Sequence, residues 1–172
     1  MTLLIPSDSH GRPDHVEEAI RRVRPDGILF AGDGLRDLTR VGDPPCPLWA
    51  VSGNCDWSPS LIVNGRSVEA EDEELITVEG VRILLLHGHR CGVKGGLLPA
   101  TYRAMEREAD ILVFGHTHIP LELHLLPDDE RSLVPVLRPL TLFNPGSIGD
   151  SEASFGTITI RGGKVLCGHG TL

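Results

Sequence analysis

Residues 111–120 read ILVFGHTHIP. Four residues suited to a buried strand, Ile111, Leu112, Val113 and Phe114, run into Gly115 and then into two histidines one residue apart. An apolar run of this kind sits inside a sheet and delivers a rigid loop at its end. Gly115 lets the backbone turn sharply, so His116 and His118 can face one cavity from an extended loop. Neutral imidazoles held this way are ligands for a borderline transition metal. Two neighbouring histidines alone are an ordinary surface feature. The pair gains weight because the rest of the chain repeats the arrangement: apolar strand, tight turn, then Asp, Asn or His.

Working outward, residues 2–6 read as a first strand ending in Ser7-Asp8-Ser9-His10-Gly11. A helix is expected from Pro13, with Val16, Ala19, Ile20 and Val23 on one apolar stripe. Residues 28–31 form a second strand closed by Gly32-Asp33-Gly34. Strand, helix and strand over some 30 residues make a βαβ unit, which favours a parallel sheet. Residues 48–51 are a short strand leading to Ser52-Gly53-Asn54-Cys55-Asp56. Residues 74–78 and 81–86 flank Glu79-Gly80 as a hairpin whose second arm ends in His87-Gly88-His89. A helix is expected over 97–109, short strands over 134–137 and 141–143, and a last hairpin from 157–160 and 164–166. Six strands thus end in a turn bearing Asp, Asn or His, and their C-terminal ends gather these side chains at one edge. The collected set is Asp8, His10, Asp33, Asn54, His87, His116 and His118. Seven ligands exceed one tetrahedral zinc site and suit two ions of higher coordination number.

Composition narrows the function classes. A chain of 172 residues is expected to be one domain over 1–172, burying about 70% of its unfolded surface. A formal charge of −8 argues against a surface tracking long nucleic acid. Only 4% of residues are aromatic, too few for a base-stacking platform. Cys46, Cys55, Cys91 and Cys167 form no C-x-x-C pair, the pattern of reduced thiols in a cytoplasmic protein. The short apolar run near the N-terminus has no basic residue before it, so it reads as a strand and not a signal peptide. No apolar segment approaches the ~20 residues of a membrane span. A membrane association is therefore not expected.

The chain resembles the calcineurin-like metallophosphoesterases, specifically their small single-domain bacterial and archaeal phosphodiesterases. The resemblance rests on SDSHG at 7–11, GDG at 32–34, GNCD at 53–56, HGH at 87–89 and GHTH at 115–118, in that order, with NPGS at 144–147 extending it. It implies an α/β fold, a two-sheet β-sandwich flanked by helices in αββα order, with a dinuclear centre at one edge. Asp8, His10 and His118 would hold one metal, Asn54, His87 and His116 the other, and Asp33 would bridge. Two divalent ions are implied, Mn most of all, with Fe, Ni or Zn as alternatives. The activity implied is a phosphodiesterase on small phosphodiesters, with Asp33, Asn54, Cys55 and His89 in catalytic roles. A phosphomonoesterase or nucleotide phosphatase on the same metal core is the alternative enzyme. The rival from another class is a non-catalytic scaffold, since a trafficking-complex subunit shares the fold.

Three departures stand out. Cys55 occupies the place where many larger members have histidine to protonate the leaving alcohol. A neutral thiol is a poorer acid at pH 7, so substrates with good leaving groups are expected. Phe30 stands where relatives often have histidine and is read as packing. Twenty-five residues separate His118 from Asn144, and the excess around Pro127-Asp128-Asp129-Glu130 is expected to lengthen a hairpin. Asp56 either supports the Asn54 turn, meets a ligand or acts as a cap. Arg12 is a weak candidate for substrate phosphate, and His15, His124 and His169 read as surface residues. The oligomeric state is left open, the edge strands allowing a homodimer.

Overall fold

The computed structural model describes residues 1–127, 129 and 134–172. It opens with the βαβ unit: β1 (Thr2–Ile5), α1 (Pro13–Val23) and β2 (Gly27–Phe30), the two strands parallel. A short helix α2 (Leu35–Val41) leads to β3 (Leu48–Ala50), and β4 (Ser60–Val63) pairs with β5 (Arg66–Glu69) as a separate two-stranded hairpin. β6 (Glu73–Val78) and β7 (Val81–Leu86) form the expected hairpin. A 3-10 turn at His89–Cys91 precedes α3 (Leu98–Glu106), β8 (Ile111–Phe114), β9 (Leu121–Leu125) and β10 (Leu140–Asn144). β11 (Ser154–Arg161) and β12 (Lys164–Thr171) close the chain as a hairpin.

One sheet has the order β12-β11-β1-β2-β3 and the other β6-β7-β8-β10-β9. Each has a parallel centre, β1-β2-β3 and β7-β8-β10, with antiparallel strands outside it. The apolar runs that make these centres alternate between two cores, as a period of two requires. Leu3, Ile5, Ile83, Leu85, Ile111 and Val113 meet between the sheets. Leu84, Leu112 and Leu142 face outward onto Ala100 and Ala104 of α3. Leu4, Ile28 and Phe30 face the other way onto Val16 and Ala19 of α1 and Leu35 and Leu38 of α2. The architecture is therefore the helix-flanked double sheet expected from the sequence. Phe30 is fully buried in that last cluster, and truncating it to alanine should cost roughly 3–5 kcal/mol.

Four expectations need correction. Residues 134–137 form no strand: Pro135 lacks the ladder donor, Val136 is buried under α3 and Leu137 lies exposed. The helix expected over 97–109 stops at Glu106, because Glu108 adopts a left-handed φ of 52. The last hairpin is longer than the 157–160 and 164–166 pairing, running through eight register pairs. α2, β4 and β5 are additional to the expected elements, and β9 was expected only as an arm of a longer hairpin. β9 and β10 pair antiparallel, which is the expected long hairpin, while Asp128 and Glu130 of its acidic tip lie outside the described residues.

Candidate metal centre

Every candidate ligand follows a strand of one of the two parallel centres. Asp8 and His10 follow β1, Asp33 follows β2, Asn54 follows β3, His87 follows β7, and His116 and His118 follow β8. Five of the seven, Asp8, His10, Asp33, His116 and His118, have φ between 43 and 67. A side-chain-bearing residue costs about 1 kcal/mol or more in that region, although Asp and His tolerate it better than most. Such conformations persist only where the surrounding structure over-determines them, and they gather at functional sites. Glycine on the facing loops allows the close approach. A side chain at Gly53 would collide with Asp33 Oδ1, and one at Gly115 with Ser7 Oγ and Asp8 Oδ2.

Hydrogen bonds then aim the ligand atoms. His87 is fully buried, with Nδ1 2.7 Å from the Ala31 carbonyl oxygen. A carbonyl only accepts, so Nδ1 carries the proton and Nε2 of the neutral ring presents a lone pair. That Nε2 faces Asp33 Oδ2 at 3.3 Å and Asn54 Oδ1 at 3.2 Å. His118 repeats the device: Nδ1 lies 3.1 Å from Asp150 Oδ2, while Nε2 lies 3.2 Å from Asp8 Oδ1 and 3.3 Å from His10 Nε2. Asp8 Oδ2 accepts from the Ser7 hydroxyl at 2.5 Å and from the His116 backbone N–H at 3.0 Å. Its other oxygen, Oδ1, is buried and has no hydrogen-bond partner.

An orphaned buried carboxylate oxygen is costly, and lone pairs converging on it call for a cation. Ligand atoms sharing an ion at about 2.0–2.2 Å stand roughly 3–3.5 Å apart, the spacing seen here. Ligand atoms of Asp8, His10 and His118 all lie within 4.8 Å of one another, as do those of Asp33, His87 and His116, and of His10, Asp33 and Cys55. The donor set therefore fits divalent metal, with Asp33 shared by the group of His87 and His116 and the group of His10 and Cys55.

Protonation follows the same geometry. Burial works against ionised Asp33, yet hydrogen bonds from His87 and the Cys55 backbone N–H hold its carboxyl well below the usual range. Burial raises Asp8 in spite of the neighbouring His87. His87 is itself raised: burial opposes its charge, but Asp33 and Asp8 outweigh it. In the metal-free protein a proton on His87 thus competes for the place a metal would take, and metal binding should release it. Burial and then His87 pull His116 down to about 4, leaving a neutral ring at pH 7. Burial and then Asp33 push the Cys55 thiol up to about 11, so it is protonated there.

The remaining candidates sort by contact. His89 lies in the 3-10 turn with ring centroids 5.4 Å from His87 and 6.2 Å from His116, and its Nδ1 is buried without a partner. Asp56 is a cap built at a distance: its carboxylate accepts from the backbone N–H groups of Asp33, Gly34, Leu35 and Gly53 at 2.9–3.0 Å. Asn144 ties Gly115 and Thr117, and the Ser147 hydroxyl donates to the Asp8 carbonyl, so the 144–147 turn braces both ligand loops. Arg12 is bound up with Asp14 and His15. His15 is half-buried with Nδ1 on the Ile148 carbonyl, a structural role and not the surface role expected. His169, though exposed, stacks on Phe143 at 4.7 Å, and His124 is exposed. Asp150 and Asp37 were not among the expected site residues. No local motif marks Asp150, and Asp37 is buried, accepting from Ser9 Oγ and the Gly11 N–H, each at 2.7 Å.

Comparison with known proteins agrees with this geometry. The model of the calcineurin-like phosphoesterase superfamily domain matches residues 1–163. The chain is 34% identical over 148 residues to a probable metallophosphoesterase, YsnB of Bacillus subtilis, covering 86% of this chain and 75% of that one. It is 27% identical to the phosphodiesterase YfcE of Escherichia coli, covering 92% and 87% respectively. Among solved structures, a predicted phosphoesterase from Streptococcus pneumoniae shares the fold at a TM-score of 0.70 and 23% identity, over 99% of this chain and 88% of that one. Vps29 of Entamoeba histolytica, in a structure with zinc, does so at 0.67 and 18%, over 99% of each chain. Strand-end ligands, the family match over nearly the whole length and the Bacillus relative lead to one assignment: the chain belongs to the calcineurin-like phosphoesterase superfamily.

Proposed function

We propose that the chain is a metal-dependent phosphodiesterase acting on small phosphodiesters, with Asp8, His10 and His118 holding one divalent ion, Asn54, His87 and His116 a second, and Asp33 bridging them. The observation that carries this reading is Asp8 Oδ1, buried, unpartnered and 3.2 Å from the Nε2 of His118. Two such ions, when bound, would activate a water at neutral pH and neutralise charge growing on the phosphate oxygens. The chain's own groups position the reaction. Asp8, His87 and Asp33 are locked by burial and hydrogen bonds, while the His89 ring, its pKa lowered by burial, stands beside His87 and His116 within reach of a bound phosphate. The protonated thiol of Cys55 is a weak proton donor beside the leaving alcohol, which favours esters of acidic alcohols. Mixed imidazole, carboxylate and amide donors suit manganese, with iron, nickel or zinc as substitutes. The same reading puts the acidic chain to work in the cytoplasm, on small substrates and not long nucleic acid, with edge strands that allow a homodimer.

The second reading is a scaffold without turnover, favoured by the fold shared with Vps29. A surface selected only for protein contacts has no need of strained, hydrogen-bonded ligands around an orphaned carboxylate oxygen. Metal-stripped protein given Mn²⁺, Ni²⁺, Zn²⁺ or Mg²⁺ separately should hydrolyse bis(p-nitrophenyl) phosphate faster than p-nitrophenyl phosphate, best with Mn²⁺. A faster monoester would make it a phosphomonoesterase. Full metal loading with no turnover of either ester would establish the scaffold.

A further inference from the structure

A groove of about 350 Å³ opens beside the candidate metal centre, within the range of small-ligand clefts. His10, Asp33 and Cys55 line it near the metal ligands, and Arg36 and Arg40 of α2 line it as well. Four residues apart on a helix, the two arginines share one face. Both are exposed.

The carboxylates that line the groove are already engaged. Asp56 accepts four backbone N–H groups. Asp37 accepts from the Ser9 hydroxyl and the Gly11 N–H, and Asp33 faces His87 and accepts the Cys55 N–H. Arg40 comes no closer to Asp37 than 3.8 Å, too far for a hydrogen bond. Arg36 makes no ion pair among the described residues. Among the other arginines, Arg12 pairs with Asp14 at 3.0 Å, Arg21 and Arg22 with Glu18 at 2.6 Å, and Arg103 with Glu73 at 2.6 Å, while the exposed Arg24, Arg66 and Arg161 make no ion pair among the described residues. What sets Arg36 and Arg40 apart, in a chain of net charge −8, is their place: both guanidinium groups line the one groove that also holds His10 and Asp33. Guanidinium forks match the oxygens of a phosphate two at a time.

We infer that this groove is a subsite for a second phosphate group on the substrate, and that Arg36 and Arg40 set that specificity. The inference rests on the phosphodiesterase reading of the metal centre. The substrate class is then a phosphodiester whose organic part bears another phosphate, the diester phosphorus sitting at the ligand cluster and the second phosphate along α2.

The test uses a matched pair of chromogenic esters: the p-nitrophenyl ester of thymidine 5′-phosphate, and the same ester carrying a 3′-phosphate. With manganese-loaded protein, kcat/KM should be at least about tenfold higher for the 3′-phosphorylated ester. The Arg36→Gln/Arg40→Gln double variant should bring the ratio to about one. Arg21→Gln/Arg22→Gln, an equal charge change on α1, should leave the ratio as it is. Calorimetry with metal-stripped protein supplies a readout independent of turnover: thymidine 3′,5′-bisphosphate should bind at least about fivefold more weakly to the double variant. Turnover of both esters at equal kcat/KM, or a preference that survives the double substitution, overturns the inference and leaves the phosphodiesterase reading standing. If neither ester is hydrolysed, that reading fails, and the calorimetric comparison decides whether the arginines bind phosphate at all; equal affinities there also overturn the inference.

Discussion

The two halves of the candidate centre are built differently. His87 is fully buried and held by a backbone carbonyl, so its Nε2 can point only one way. His118 and His10 keep about a third of their side chains exposed, and His118 is steadied by Asp150, itself half in solvent. The contrast lies in the imidazoles: His87 is fixed by the fold, whereas His10 and His118 stand where water reaches them beside the fully buried Asp8. On the proposed two-ion reading the ions would be unequal, the one at Asp33, His87 and His116 more tightly held and the one at Asp8, His10 and His118 more exchangeable. A buried imidazole such as His87 loses little freedom on binding, whereas an exposed one must be ordered first.

The largest effect should come from breaking the buried half. His87→Ala or Asp33→Asn should lower metal-dependent hydrolysis of bis(p-nitrophenyl) phosphate by at least about 10³-fold, since each removes a fixed ligand that no solvent group replaces. Steady-state kinetics at saturating Mn²⁺ checks this. Next comes Asp56, which supports the same half from outside. Asp56→Ala leaves the N–H groups of Asp33, Gly34, Leu35 and Gly53 without their charged acceptor. It should cost about 2–4 kcal/mol in urea unfolding. A loss below 1 kcal/mol would mean water replaces the carboxylate.

Asp56 also shows where the sequence stopped being readable. Strand ends bearing Asp, Asn or His were legible because each is a local pattern: an apolar run with period two, then a glycine turn. The seven ligand candidates converge as that pattern implies. α2 was not legible, because Gly34 at its start offers no capping side chain and the cap arrives from Asp56, more than twenty residues on. With α2 hidden, Arg36 could not be placed beside the centre, and Arg12 drew the attention instead. The β4–β5 hairpin did leave a readable mark in Asn64-Gly65, whose φ values of 51 and 70 are those of a tight hairpin turn. Asp150 left none, since only tertiary folding brings it to His118.

A smaller effect should separate the exposed half. Asp150→Asn should weaken the second equivalent of Mn²⁺ by about tenfold, the low end for an outer hydrogen-bond partner, with the first equivalent little changed. Titration calorimetry resolves the two. The smallest effect is on pH dependence. His116 titrates near 4 in the folded metal-free protein, against about 6.5 unfolded. Between those values the unfolded chain binds more protons, so stability contributed by this site falls as pH drops from 6.5 toward 4. His116→Gln should flatten that part of the melting-temperature profile. An unaltered slope would place the ring in solvent.

Manganese counting on the stripped protein puts the whole arrangement to its most direct trial. Wild-type chain should take up two ions, the first more tightly than the second, and release a proton from His87 as metal takes that proton's place. Asp33→Asn should lose both tight binding and proton release. Uptake below one ion per chain at millimolar Mn²⁺, or a titration that Asp33→Asn leaves unchanged, would contradict a metal centre at this edge of the sheets.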